Sequence, residues 1–413
     1  MSVLIGVIIQ EEDEQLFTLE NGSGRMIRME STAAEKSYPS YPLLKQRPFR
    51  INDVPVSGAG VFRFRYGPVT SGIREAGCFH LYTYGEKILR ATIDIGWKHR
   101  EMEKAMQQRS PADVLRLAER VCSNFAFSHS VAFSRAAEMA LGIKPTLATK
   151  NWRIILLEAE RIYNHLYLIY KLASAAAQKV LAAHLSALFE EALRLNAQLS
   201  GSRYLMGINN IGKLDRLPEL PSIQQAVYGY HQLLERFRRL YEHSLANPNY
   251  LDRLHAAGIL TPAQAQALGL TGPSLHACGI NDGLNDATGS LISLPVITQN
   301  EGDALARMEI RAGEIVNSCQ YLLEHLKASD TWEDDQEMKH IDTDGTGYGV
   351  ANSSSGAVGY YVTMQEGLIH RTSFFTPSYP GMHAVSQALE GLVFTDFPFV
   401  FDSFGVHFAD AAR

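Results

Sequence analysis

Apolar and polar residues alternate over the first part of the chain and give way to a three- to four-residue repeat in its middle. The run Val3 to Ile9 is too short to cross a membrane and reads as a first β-strand. Short strands continue to about residue 65, broken by turn pairs such as Asn21-Gly22 and Asn52-Asp53. A Gly/Pro loop follows, Gly67-Pro68-Val69-Thr70-Ser71-Gly72. A strand pair turning near Tyr84-Gly85 then leads into a helix predicted over Gly96–Gln108. Ser110-Pro111-Ala112-Asp113 reads as an N-cap with proline at the first helical position. Helical spacing then predicts helices over 111–141, 149–176, 177–203 and 220–246, rich in Ala and Leu, as in a bundle. Residues 247–300 read as loops, 303–328 as a further helix, 345–375 as strands with Gly/Ser turns, and 381–392 as a last helix before an apolar tail. The expected fold class is α+β. It has an N-terminal β-rich region (1–65), then a larger domain (66–413) with a helical core over about 96–330 and a β-rich part over about 345–413.

Composition narrows the possible functions. With 413 residues, 46% hydrophobic and 20% charged, the chain can bury a large core. A net charge of −6 gives no basic footprint for nucleic acid or anionic lipid. No apolar stretch reaches membrane-spanning length without charge, since Leu166 to Ala183 carries Lys171 and Lys179. A soluble, cytoplasmic chain is therefore expected, free to dock on a membrane complex. Cys78, Cys122, Cys278 and Cys319 are scattered singly, which excludes a disulfide scaffold, a zinc ribbon and a chain-ligated iron–sulfur cluster of the usual kind.

Three groups of residues carry candidate chemistry. Cys122 and His129, seven apart in a predicted helix, would share one face. They read either as a core thiol with a satisfied histidine or as a pair of metal ligands. Glu158, Arg161 and His165 also share a face of an apolar helix, which reads as a buried ion pair fixing the bundle. His407 and Asp410, beyond the aromatic run Phe397 to Phe404, could supply ligands or simply tuck the tail inward. Gly345-Thr346-Gly347-Tyr348-Gly349 does not lie between a strand and a helix, so a nucleotide loop is not expected.

Four segments, in order, resemble one family. Gly67 to Ala105 resembles the opening of the large subunit of membrane-bound, energy-converting nickel–iron hydrogenases, and the corresponding subunit of respiratory complex I. Ala118 to Gly142 (AERVCSNFAFSHSVAFSRAAEMALG) resembles that family's first metal-ligand segment. LEAERIYNHL (Leu157 to Leu166) resembles a shared scaffold motif, and Thr376 to Phe404 the approach to the second ligand motif.

The departures bear on function. The family's two Cys-x-x-Cys pairs would fall on Cys122 with Phe125 and on His407 with Asp410, leaving one thiol of four. Soft bridging thiolates are what a binuclear nickel–iron centre needs. The resemblance therefore implies a degenerate member, not an active hydrogenase, with no nickel–iron cofactor. Two family arginines would fall on Phe375 and His276. Glu75 matches a family glutamate and, with His129, is a vestigial-pocket candidate for proton chemistry. Thr70 and Arg74 are cofactor-contact candidates in the pocket loop, although Thr70 stands where complex I has a quinone-contacting histidine. The stretch Met106 to Leu117 also lacks the tyrosine partner of that histidine. Cys122, His407 and Asp410 remain candidates for a rebuilt single zinc or iron site. The family's large subunits lose a C-terminal extension after metal insertion; this sequence ends at Arg413, where the clipped product would, so no such maturation is expected.

The family resemblance further implies a small iron–sulfur partner subunit holding the clusters. It also implies a complex I-like peripheral subunit and antiporter-like and quinone-module-like membrane subunits, on the cytoplasmic face of the membrane, in complexes whose relatives bind NAD and quinone. Glu75, Cys122, His129, His407 and Asp410 should form one pocket.

Overall fold

The computed structural model describes residues 2–10, 13–20, 23–70, 72–73, 75–284, 294–328 and 343–413. Three antiparallel sheets flank a set of long helices. The N-terminal meander runs β1 (Ser2–Gln10), β2 (Asp13–Glu20), β3 (Ser23–Arg28). The second sheet has the order β4-β7-β6-β5, from β4 (Arg50–Ile51), β5 (Val61–Tyr66), β6 (Cys78–Tyr84) and β7 (Lys87–Asp94). The third runs β10-β9-β8, from β8 (Gly345–Ser353), β9 (Gly356–Gln365) and β10 (Leu368–Phe375). The expected turn at Asn21-Gly22 lies outside the described residues.

The bundle pattern is met by helices Leu147–Ala175, Lys179–Ser200, Leu220–Leu245 and Ala304–Ala328, which pack on one another. The first is buried on nearly every side, which matches its near-continuous apolar sequence. The mixed helix-and-sheet class expected from the sequence is the class observed. The segment expected as loops also carries short helices, Pro248–Leu254, Pro262–Leu268 and Pro273–His276, each with proline at its first turn. The apolar tail folds into two more, Phe397–Phe404 and Phe408–Ala412.

Two predicted helices are broken. Over 96–108 only Gly96–Lys98 (3₁₀) and Met102–Ala105 are helical. Tertiary contacts take the residues between: His99 Nδ1 meets the Ala412 carbonyl at 2.8 Å, and the Arg100 guanidinium donates to the carbonyls of Arg120 and Val121. The predicted helix 111–141 is two helices, Pro111–Ala118 and Ala126–Ala140. Between them Cys122 is extended (φ −144°, ψ 122°) and Ser123–Phe125 form a 3₁₀ turn. Cys122 therefore lies before the helix that carries His129, and the expected shared helix face does not exist.

The second of these helices lies against β8. A Cβ at Gly345, Gly347 or Gly349 would come within 2.1, 2.1 and 2.3 Å of the carbonyl oxygens of Ala140, Ala136 and Ala132. The glycine-rich repeat is thus a seam where a strand touches a helix backbone one turn at a time. Gly349→Ala should destabilise the protein by about 2 kcal/mol or more through overpacking. Urea unfolding checks this, and an unchanged midpoint would contradict the seam.

A candidate site where three chain segments meet

Glu160, from the central Leu147–Ala175 helix, sets the geometry of the first segment. Its carboxylate accepts from the backbone N–H of Phe127 (2.7 Å) and Ser128 (3.0 Å) and from the Ser128 hydroxyl. It caps the Ala126–Ala140 helix from outside, answering donors that a helix start leaves unpaired. Burial pushes its carboxyl up to about 7 despite those donors. Asn164 Nδ2 donates to the Asn124 carbonyl and holds the turn itself.

His129, one helical turn in, is fully buried. Its Nδ1 lies 2.9 Å from the Tyr360 hydroxyl and its Nε2 3.0 Å from Asp410 Oδ1. The Tyr360 hydroxyl donates to Nδ1, which leaves Nε2 as the N–H that donates to Asp410. Burial, followed by the charges of Asp410 and Glu103, pushes the Tyr360 phenol well above its ordinary value, so it stays protonated as the donor.

The C-terminal segment closes the site. Thr376 Oγ1 donates to the Asp410 carbonyl (3.0 Å), and the Ala409 N–H donates to Glu75 Oε2 (3.1 Å). The Phe408 ring fills the space where a Cβ on Gly77 would stand. The His407 ring meets Phe125 edge-on, with centroids 5.2 Å apart. Burial pushes the Cys122 thiol well above its usual range, and the nearby charges of Asp410 and Glu75 add to the effect. Burial pushes the His407 imidazole down, against the pull of Glu75 and Asp410.

Hydrogen bonds and neighbouring charges bring Glu75, Cys122, His129, His407 and Asp410 into one region, but Cys122, His129 and Asp410 do not line the cleft beside it, so the five do not share it as one pocket. Glu75 and His407 line that cleft with Lys171 and Asp402. Thr70 pairs with Ile73 in an isolated bridge beside that cleft, and Arg74 lies outside the described residues. The expected metal set is not presented as one. Asp410 Oδ1 faces His129, Phe125 covers the His407 ring, and among the described residues no three His, Cys, Asp or Glu side chains are placed to hold an ion. Asp410 Oδ2 has no hydrogen-bond partner among the described residues.

The donor chemistry also fails the family's own cofactor. One protonated thiol, a phenylalanine, a histidine and an engaged aspartate cannot supply bridging thiolates. The Phe375 ring, in place of a family arginine, lies under the Arg47 guanidinium at 4.4 Å and beside Phe17.

Residues 184–343 match the family model described as the 49 kDa subunit of respiratory-chain NADH dehydrogenase, and residues 100–209 match the model for nickel-dependent hydrogenase. The chain thus carries regions similar to the complex I 49 kDa subunit and to nickel-dependent hydrogenase. Formate hydrogenlyase subunit 5 of Escherichia coli is 27% identical over 311 residues, covering 69% of this chain and 54% of that protein, so the chain spans about half of that relative. Membrane-bound hydrogenase subunit alpha of Pyrococcus furiosus is 25% identical over 353 residues, covering 79% and 81%. The large subunit fold also recurs in the structure of the membrane-bound sulfane sulfur reductase, an archaeal respiratory membrane complex. There the TM-score is 0.79 at 22% identity, over 87% of this chain and 100% of that one. The last two of these are named as membrane-bound, while among the described residues of this chain no helix is long and apolar enough to cross a membrane.

The family's scaffold motif forms the buried ion network expected of it and extends further than the sequence indicated. Arg161 pairs with Glu158 (3.0 Å) and Glu314 (3.3 Å), and His165 Nε2 lies 2.7 Å from Glu314. His276, where the family has an arginine, supplies a cation: its Nε2 lies 3.1 Å from Asp282 and its Nδ1 3.8 Å from Glu314. Tyr360, Glu160 and Glu314 were not legible as site residues, because each lies in a different element from its partner with no local pattern to mark it.

Burial disfavours a charged His276, but Asp282 and Glu314 outweigh it and carry the imidazole from 6.5 up to about 9. The folded state therefore holds this proton more tightly than the unfolded chain. The resulting stability is complete below pH 6.5 and is lost as pH rises through 9. Unfolding free energy should fall by about 2–3 kcal/mol across that window, and His276→Asn should flatten the fall. Denaturant titrations at several pH values check this; an equal slope in both proteins would refute it.

Proposed function

We propose that this chain is a structural and coupling subunit of a membrane-associated complex related to energy-converting hydrogenases and complex I, without nickel–iron hydrogen chemistry. One observation carries the reading. At the four positions where the family would bear thiolates, Cys122 is a buried thiol, Phe125 packs on His407, and Asp410 binds His129. The scaffold that surrounds the site is kept, since packing and site chemistry can be lost separately. The subunit would sit peripherally on the cytoplasmic face. It would pack on a small iron–sulfur subunit that holds the clusters, beside a complex I-like peripheral subunit, and couple to antiporter-like and quinone-module-like membrane subunits that move ions.

A second reading is an oxidoreductase with a rebuilt site, supported by the unpartnered Asp410 Oδ2 near Cys122. Its weakness is that His129 and Phe125 already engage two of the three proposed ligands.

The complex purified from its native membrane distinguishes these. We expect no hydrogen uptake with a dye acceptor and less than about 0.1 nickel, zinc or iron bound at this chain, measured on the isolated subunit. Cys122→Ser should leave assembly with the membrane subunits, and any electron transfer of the complex, within about twofold of wild type. Hydrogen turnover above background overturns the proposal. A stoichiometric metal lost in Cys122→Ser establishes the second reading instead.

A further inference from the structure

The four-stranded sheet ends on β5, and that edge is unusual for a chain of net charge −6. On its inner side β5 pairs with β6, Arg63 opposite Tyr82 and Arg65 opposite His80. On its outer side, among the described residues, the backbone of 62–65 makes no hydrogen bond to another segment. Arg63 and Arg65 project from one face. Both are exposed: Arg63 Nη2 lies 2.9 Å from His80 Nδ1 and Arg65 Nε donates to Cys78 Sγ (3.4 Å), which leaves each guanidinium with further donors and, among the described residues, without a carboxylate. Together with Arg50 they reinforce burial in lowering the His80 pKa, so their charges act on one patch.

Phe62 and Phe64 project from the opposite face. Phe64 packs on Phe394 with ring centroids 4.9 Å apart, whereas Phe62 overhangs and is 63% exposed. Tyr84, paired with Val61, is 61% exposed at the same end of the sheet.

Charged residues on an edge strand commonly guard it against pairing, and this is the simplest account of the two arginines. A guard, however, does not explain an aromatic left open beside it. The pattern arginine, phenylalanine, arginine with a free backbone has what a strand-addition site requires. Main-chain groups give affinity, and the alternating side chains give specificity on each face.

We infer that the outer edge of β5 receives an extended segment of a partner polypeptide in which acidic and apolar residues alternate. An acidic residue on one face would pair across the strands with Arg63 or Arg65, while its apolar neighbours would cover Phe62. A second copy of this chain is a poor occupant. A two-fold pairing that continues the sheet would set these arginines against each other, and like charges directly opposite destabilise a strand pair. This surface lies apart from the buried centre and does not depend on how that centre is read.

The probe is a fluorescein-labelled peptide of about eight residues alternating Glu and Val, long enough to match the six-residue strand. Comparison peptides have the same composition in two blocks, or Lys in place of Glu. With the full chain, the alternating Glu peptide should bind at least about tenfold more tightly than either comparison, measured by fluorescence anisotropy at low salt. It should slow amide exchange within residues 61–66. Arg63→Gln/Arg65→Gln should lower its affinity about tenfold, with Phe62→Ser as an independent variant on the other face. Both positions are exposed, and the peptide comparison with the wild-type chain stands even if a variant folds poorly.

Equal binding of the three peptides, or no protection at 61–66, overturns the proposal. So does protection that depends on protein concentration alone, which would mark a dimer. Binding to phosphatidylglycerol vesicles that is lost in the arginine variant, without peptide binding, would assign the edge to the membrane surface and likewise overturn it.

Discussion

A carboxylate buried away from water must find a donor, and in this protein Asp410 finds His129. That contact fixes more than two side chains. It ties the C-terminal segment to the helix Ala126–Ala140, and through the other nitrogen of the ring to Tyr360 on β9. Removing either partner would leave a buried polar group unanswered, which costs more than the bond itself contributes. The other contacts of the tail, Ala409 to Glu75 and Thr376 to Asp410, bring the N-terminal loop and β10 to the same place. The candidate site is therefore where the C-terminal segment is fastened to the loop at Glu75, to the helix Ala126–Ala140 and to Thr376, and its residues have structural duties that metal ligands would have to give up.

The second buried network obeys the same rule at greater charge density. Glu314 stands between Arg161, His165 and His276, and its carboxyl is held well below its ordinary value by those partners although burial opposes this. The two histidines diverge accordingly. Burial leaves His165 neutral, near 4, while Asp282 and Glu314 keep His276 charged. A histidine at this place is a cation below its pKa and is titratable, a property an arginine does not have.

A scaffold and the chemistry of a site can vary separately for a physical reason. A metal centre depends on a few ligand atoms, whereas the fold depends on a core that runs from Leu4 to Ala412. Phenylalanine at 125 and at 375 are packing choices: one covers the His407 ring, the other lies under Arg47 and against Phe17. Apolar groups of this size stabilise their surroundings by burial alone.

The long bundle helices and most strands of the sheets were legible in the sequence because their signals are local, whereas Ser31–Ser37 and Tyr41–Gln46, inside the region expected as strands, are helices. Apolar spacing, N-cap residues and Gly/Pro turns act within a few positions of one another. The missing cysteines were equally plain, and the family resemblance brought Glu75, Cys122, His129, His407 and Asp410 to one region, though only Glu75 and His407 line its cleft. The break after Cys122 was not legible, because it is made by Glu160, thirty-odd residues away in sequence, capping a helix start that local propensity would have run through. Nor was the fate of Asp410 legible: nothing near it in sequence reveals that its donor is His129, or that Tyr360 completes the chain. The sequence by itself determined which atoms were available for chemistry. Only the tertiary structure decided which of them were already engaged, because pairing of buried polar groups depends on distances between segments far apart along the chain.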